Sequence, residues 1–273
     1  MPELKGLSLG AGVQSSTIFM MSCLGELDRL DAAVFADTGW EPRAVYKWLA
    51  WLKDQGKRYG IPVFTVKHGD IKSDALISQV RGLKVNGVRW ASMPFFVLGR
   101  DDGKRGMIRR QCTYEYKIRP LEKEFRRIAG YKKYARIPIG GVEVWKGISV
   151  DESHRATISM VRWISFYYPL IERVIDRDGC KKWFSDRGFP EPPRSACIGC
   201  PYHSNKEWLS MRDDHPEEWR DAVEFDRGIR KIGGMRGDCF LHAARVPLDE
   251  VKLDKCTRQL SLFSDECAGV CGV

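Results

Sequence analysis

One stretch limits the fold more than any other: "LKGLSLGAGVQSSTIFMM", residues 4–21. It sets a short apolar strand, a Gly/Ser turn and an apolar-periodic helix in immediate succession. Glycines let such a turn approach a ligand closely, serine hydroxyls add donors, and the helix N-terminus adds positive potential. Together they make a cradle for an anion such as a phosphate. The alternation then repeats. "AAVFAD" (32–37) reads as a second strand, "EPRAVYKWLAWLKDQGKRYG" (41–60) as a helix with Pro42 at its first position, and "IPVFTVKHG" (61–69) as a third strand. After a less regular stretch, "CTYEYKIRPLEKEFRRIAG" (112–130) is largely helical beyond Pro120, and "VEVWKGIS" (142–149) is a strand. Strands separated by helices of this length imply an α/β fold with a doubly wound parallel sheet. Ligands of such sheets bind beyond the carboxyl ends of the strands, so "LGAGVQSS" and "ADTGWE" should face one site.

Past about Asp176 the pattern changes to helical pieces around a Pro-rich loop, with Ser204 and Glu207 as a capping box and Pro216 opening another helix. The expected division is a nucleotide-binding domain over residues 1–178 and a cysteine-bearing C-terminal appendage over 179–273.

A chain of 273 residues with 43% hydrophobic and 30% charged side chains can bury a full core and reads as a soluble globular protein. No apolar run approaches the roughly 18–20 residues of a membrane span. The apolar stretch Ile18–Leu24 lacks a basic leader, so no signal peptide is expected. Nine cysteines without an export signal fit a reducing, cytoplasmic setting, where thiols serve metals or catalysis. The net charge of +9 is concentrated: Arg109 to Arg136 holds ten Lys/Arg and three Glu, interleaved with four Tyr. That run is either a solvated helix face or a surface for polyanions with aromatics for stacking.

The loop chemistry leaves alternatives. "GAGVQSST" has no Lys after its glycines, so it is not a Walker loop. Gly10-x-Gly12-x-x-Ser15 passes as a degenerate dinucleotide fingerprint, with Asp37 where a ribose-binding acid belongs. Ser8, Gly10, Gly12, Ser15 and Ser16 also fit the pyrophosphate loop of ATP pyrophosphatases. The second segment separates these. "VFADTGWEPRAVY" (34–46) resembles the strand-then-"TG"-then-helix segment of the phosphoadenylylsulfate (PAPS) reductase family, a branch of the pyrophosphatase-loop superfamily. "CTYEYKIRPL" is similar to that family's Cys-rich helix start, with Lys117 and Pro120 in matching places. "KGISVDESHR" (146–155) is similar to its Gly-x-x-x-Asp-x-Ser segment with a following Arg, "YYPLIE" (167–172) to its Tyr-x-Pro-Leu strand, and "SACIGCP" (195–201) to its Cys-x-x-Cys. The motifs run in family order over residues 8–201.

The resemblance implies an adenine nucleotide alpha-hydrolase-like fold that binds ATP, with Mg, through Ser8, Gly10, Ala11, Gly12, Gln14, Ser15, Ser16, Asp37, Thr38, Gly39 and Gly147. It assigns charge-neutralising or catalytic roles to Lys117, Asp151 and Arg155. On residue type alone the Cys197/Cys200 pair fits zinc, a redox dithiol or an iron–sulfur cluster. No second pair follows for a zinc ribbon, and His203 and His215 are weak substitutes. In the family's iron–sulfur members a Cys pair at 112–113 joins a distant Cys-x-x-Cys on a [4Fe–4S] cluster. Here Thr113 follows Cys112, which leaves Cys112, Cys197 and Cys200 and an open fourth position. A single cysteine there resembles the members that place sulfur into nucleic acids, including the DNA phosphorothioation protein.

Cys239, in "GDCFLH", is similar to the "Cys-Gly-Leu-His" nucleophile segment of the family's reductases, with Phe240 in place of the glycine. Cys267 and Cys271 are further candidates for the fourth ligand or a relay dithiol, whereas Cys23 and Cys180 read as core. The expectation is an ATP-dependent sulfur transferase acting on a nucleic acid (tRNA or DNA) and supplied by a donor such as a cysteine desulfurase. The alternatives are a sulfonucleotide reductase using Cys239 and thioredoxin, and a nucleic-acid-binding module with a structural metal.

Overall fold

The computed structural model of the chain describes residues 2–81, 93–232 and 235–254. Cys267 and Cys271 lie outside the described residues. In chain order the first half runs β1 (Leu4–Ser8), α1 (Val13–Cys23), β2 (Ala32–Asp37), α2 (Arg43–Tyr59), β3 (Val63–Lys67), α3 (Ile71–Arg81), β4 (Phe96–Gly99) and β5 (Arg105–Met107). A π-helical stretch, Thr113–Ile118, leads directly into α4 (Arg119–Ile128). Then come β6 (Val142–Lys146), a 3-10 turn (Val150–Arg155), β7 (Ile164–Tyr167), α5 (Pro169–Glu172), α6 (Arg177–Asp186), α7 (Asn205–Asp214), α8 (Pro216–Gly228) and β8 (Gly237–Phe240).

Five strands form an all-parallel sheet in the order β3-β2-β1-β6-β7, with helices on both faces. This is the doubly wound α/β sheet that the sequence implies. Its centre is apolar on both sides: all of β2 up to Ala36 is buried, as parallel strands covered on both faces require. Gly6 of β1 has a packing reason, because a Cβ there would overlap the ring of Phe125 on α4. On the opposite face every residue of α1 is buried, and Trp145, Trp183 and Phe184 close the core around it. The strand order reverses between β1 and β6, and there the sheet opens the crevice in which such folds bind ligands.

A second, antiparallel sheet of order β5-β4-β8 stands beside the first. Its β8 comes from the C-terminal region, and a single hydrophobic cluster joins Trp40, Phe95 and Tyr116 to Trp208, Phe225 and Leu241. The expected division at residue 178 is therefore not a division between cores: α6 packs into the first core and α7, α8 and β8 share the second with earlier segments. The capping box at Ser204 and Glu207 and the helix start at Pro216 are present as read from the sequence. Among the described residues no helix is long and apolar enough to cross a membrane.

Candidate functional site: a phosphate-type loop against a thiol-lined cavity

The loop after β1 has the geometry of an anion cradle. Ala11 adopts a left-handed backbone with φ of 57°, unusual for a residue with a Cβ, and this curls the chain before Gly12 enters α1 in an extended conformation. The Gly10 amide donates to Ser15 Oγ at 3.1 Å, and the Ser16 amide to the Gly12 carbonyl at 3.0 Å. No side chain caps the N-terminus of α1 among the described residues, so its first-turn amides remain available to a ligand. Gly147, following β6, approaches so closely that a Cβ there would lie 2.7 Å from the Ser15 nitrogen. Gln14 reaches Ser149 at 3.4 Å, tying the same helix start to the 150–155 turn. Ser16 does not face the loop: its hydroxyl accepts from the Trp48 indole at 2.8 Å.

Beyond β2, Asp37 folds its own turn, accepting from the Gly39 amide and the Tyr46 hydroxyl, each at 2.8 Å. Gly39 supplies the left-handed φ of 82° that the turn needs. The turn aims Thr38 at the cysteines. Thr38 Oγ1 lies 3.2 Å from Cys197 Sγ and donates to Glu41 at 3.0 Å. Glu41 is 3% exposed, lies 3.6 Å from Cys197 Sγ and 3.7 Å from Lys117 Nζ, and keeps one carboxylate oxygen buried without a hydrogen bond. The Cys-x-x-Cys loop is docked on this turn. The Ile198 amide donates to the Trp40 carbonyl at 3.0 Å, and Gly199 is a glycine because a Cβ would overlap the Trp40 ring. Ser195 donates to the Gly10 carbonyl, so the cysteine segment is hydrogen-bonded to the phosphate-type loop itself.

Cys112, Cys197 and Cys200 line one cleft, together with Thr38, Arg110 and Lys117. The π-helical stretch contributes here: its wider turn sets Thr113 and Lys117 side by side on the cavity wall. Burial, and then the charge of Glu41, hold the Cys197 thiol well above its usual value, against the opposing pull of Lys117. Cys197 is therefore a neutral thiol as it stands. Three soft thiols line one cavity, and a metal or cluster that took Cys197 as a thiolate ligand would have to displace that proton. Among the described residues, no three His, Cys, Asp or Glu side chains stand together at metal-holding spacing. His203, the weak zinc substitute, meets the Cys197 carbonyl at 3.0 Å and is pushed down to about 4 by burial.

The other expected residues fall elsewhere. Asp151 is exposed and accepts from the Arg177 amide at 3.2 Å, while Arg155 pairs with the buried Glu152; both stand on the α1 side and neither lines the cavity. Cys239 does not join the other cysteines. It is fully buried in β8 opposite Val97, and burial pushes its thiol up to about 12, the surroundings of a core residue rather than of an activated nucleophile.

Sequence reasoning missed Glu41, Ser195 and Lys146. Lys146 ends β6 in register with Ser8. Its ammonium lies 4.6 Å from the Phe166 ring, and burial lowers it to about 8 against the pull of Glu122. The available signal was a lysine closing a strand that is largely apolar apart from Glu143.

No protein-family model matches the chain, and no curated protein matches it significantly. Nine chains among solved structures match. One is the crystal structure of phosphoadenylyl-sulfate (PAPS) reductase from Candida auris in its phosphate complex, at 14% identity and a TM-score of 0.42, covering 70% of this chain and 76% of that one.

Proposed function

We propose that the chain is an ATP-dependent sulfur transferase, resembling the PAPS reductase family, that acts on a nucleic acid. One observation carries the reading: the phosphate-type loop and the thiol cavity are parts of one construction, joined by Ser195 on Gly10 and by Thr38 on Cys197. A site that only bound nucleotide would not need three cysteines beside it.

In this reading the loop amides, the N-terminus of α1 and Ser15 receive the departing pyrophosphate of ATP while an acceptor oxygen is adenylylated. Lys117, held by Glu41 at the cavity wall, neutralises phosphate charge as AMP leaves. Asp37 and Gly39 shape the turn beside the ribose and any Mg ion. Cys112, Cys197 and Cys200 would hold a [4Fe–4S] cluster, which would carry the donor's sulfur for transfer. Glu41 and Thr38 orient Cys197, and the surrounding apolar cluster keeps water from the reacting sulfur. The reductase alternative asks Cys239 to attack sulfur, and its enclosure in β8 speaks against that role.

The test is anaerobic purification, iron and sulfide analysis, and assay of AMP and pyrophosphate release with tRNA or DNA and a cysteine desulfurase as sulfur source. Nucleic-acid-dependent AMP release and labelled sulfur in the acceptor, both lost in Cys112→Ser and kept in Cys239→Ser, are expected. Adenylylsulfate turnover with thioredoxin that vanishes in Cys239→Ser would overturn the reading.

A further inference from the structure

The basic run from Arg109 to Arg136 is split by the fold. Its first part lines the thiol cavity at Arg110 and Lys117. Its second part is carried away by α4, whose ten residues advance about 15 Å along the helix. There two of the charges are used internally: Arg126 donates to the carbonyls of Lys132 and Ala135, while Arg127 holds Glu124 in a bidentate pair over the Phe64 ring.

Another cationic element does reach the cavity. Met93 and Pro94, just before β4, and Arg110 and Cys112, just after β5, all line it, so the β4–β5 hairpin rises from the cavity wall. Arg100 and Lys104 near its tip are paired with Asp238 and Asp102. Arg105 and Arg109 are exposed, and among the described residues neither has an ion-pair partner. The hairpin is braced by Arg245, which donates to the carbonyls of Val97, Gly106 and Ala243 at 3.0, 3.1 and 2.8 Å from a left-handed backbone with φ of 59°. Arg245 is lowered by burial and then by the like charge of Arg105. At its base the Arg110 guanidinium lies 5.2 Å from the Tyr202 ring, and both line the cavity.

We infer that the β4–β5 hairpin is the landing arm for a single-stranded segment of nucleic acid, with phosphates on Arg105 and Arg109 and a base stacked at Tyr202 and Arg110. The inference rests on the sulfur-transfer reading and specifies how its acceptor reaches the thiols. Exposed arginines on a braced arm fit a phosphate backbone. An aromatic face with a guanidinium on it is a sequence-tolerant stacking platform. The two arginines are four positions apart, at most about 13 Å, so their contacts fall on different nucleotides. The thiols are partly buried on the wall of the cavity, so a paired base inside a duplex cannot reach them, whereas an unpaired or extruded one can.

The test measures fluorescence anisotropy of labelled single-stranded RNA and DNA and the matching duplexes, from about 50 to 200 mM salt. Wild-type protein is expected to bind single strands more tightly. R105E/R109E should weaken that binding at least about tenfold and lower the salt slope by about two, while R126E/R127E changes affinity less than about twofold. Tyr202→Ala should weaken binding and Tyr202→Phe restore it. Unchanged melting temperatures would show that the exposed arginine variants are folded. Loss of binding in R126E/R127E with none in R105E/R109E would overturn the arm and leave the function standing, and preference for duplex would overturn the single-stranded assignment. A wild-type protein that binds no nucleic acid would refute the function itself.

Discussion

Gly147→Ala is the sharpest test of the phosphate-type loop. Gly147 does not have a left-handed φ, so alanine is conformationally allowed and the substitution isolates one methyl group. That methyl would lie 2.7 Å from the Ser15 nitrogen and 3.0 Å from its Cα and Cβ. An ordinary carbon contact is about 3.5 Å, so the backbone must move by about half an ångström or more. The obstacle is the first turn of α1, which cannot translate freely because the whole helix is buried. Overpacking of this kind costs about 1–3 kcal/mol of stability. The same displacement misplaces amides aimed at phosphate, and losing one or two charge-assisted bonds at about 1.5–3 kcal/mol each weakens ATP binding at least tenfold. Urea unfolding and calorimetric titration with ATP read the two effects separately. Gly106→Ala is the control, because nothing lies within 4 Å of a Cβ there and a small stabilisation is expected. Wild-type ATP affinity and an unchanged urea midpoint in Gly147→Ala would refute the cradle.

Other outcomes follow from single side chains. Burial lowers Lys146 from 10.5 to about 8, so between those values the unfolded chain binds more protons and stability rises with pH. Lys146→Met should therefore be more stable at pH 7, by on the order of 3 kcal/mol, with the gain fading between about pH 8 and pH 10.5; a gain constant across that range in pH-dependent urea melts would contradict it. Cys239, buried with its thiol near 12, should resist a thiol reagent until unfolding, while Cys112 and Cys200, only partly buried, react in the native protein; early labelling of Cys239 by mass spectrometry would restore it as a nucleophile. Ser204→Ala removes the capping hydrogen bond of α7 and should cost about 1 kcal/mol; no shift in the urea midpoint would show that Glu207 suffices.

What the sequence disclosed was local. The β1 loop, the Asp37 turn and the capping box declare themselves because each is completed within a few residues. Even there the helix edge differs: Pro42 precedes α2 as its cap rather than opening it, and the six residues after Cys112 widen into a π-helical stretch that no periodicity marks. Contacts made across the chain were not legible. Nothing in "PRSACIGC" says that Ser195 bonds to Gly10, or that Gly199 is shaped by Trp40, 159 positions away. The β4–β5 hairpin was hidden by strands of four and three residues, too short to show alternation, and β8 is equally short. For the same reason the basic run read as one surface, although helix α4 divides it.

The thiol cavity also has a history in time. Its walls are drawn from Thr38, from Cys112 and from Cys197 and Cys200, and the hydrophobic cluster behind it is completed only by residues near 250. A ribosome adding about 5–20 residues per second takes about 4–17 seconds to travel the 85 positions from Cys112 to Cys197. Throughout that interval the nascent chain carries Cys112 without its partners and without the packing that will enclose them. Anything that engages all three thiols at once can therefore enter only after Cys200 has been made.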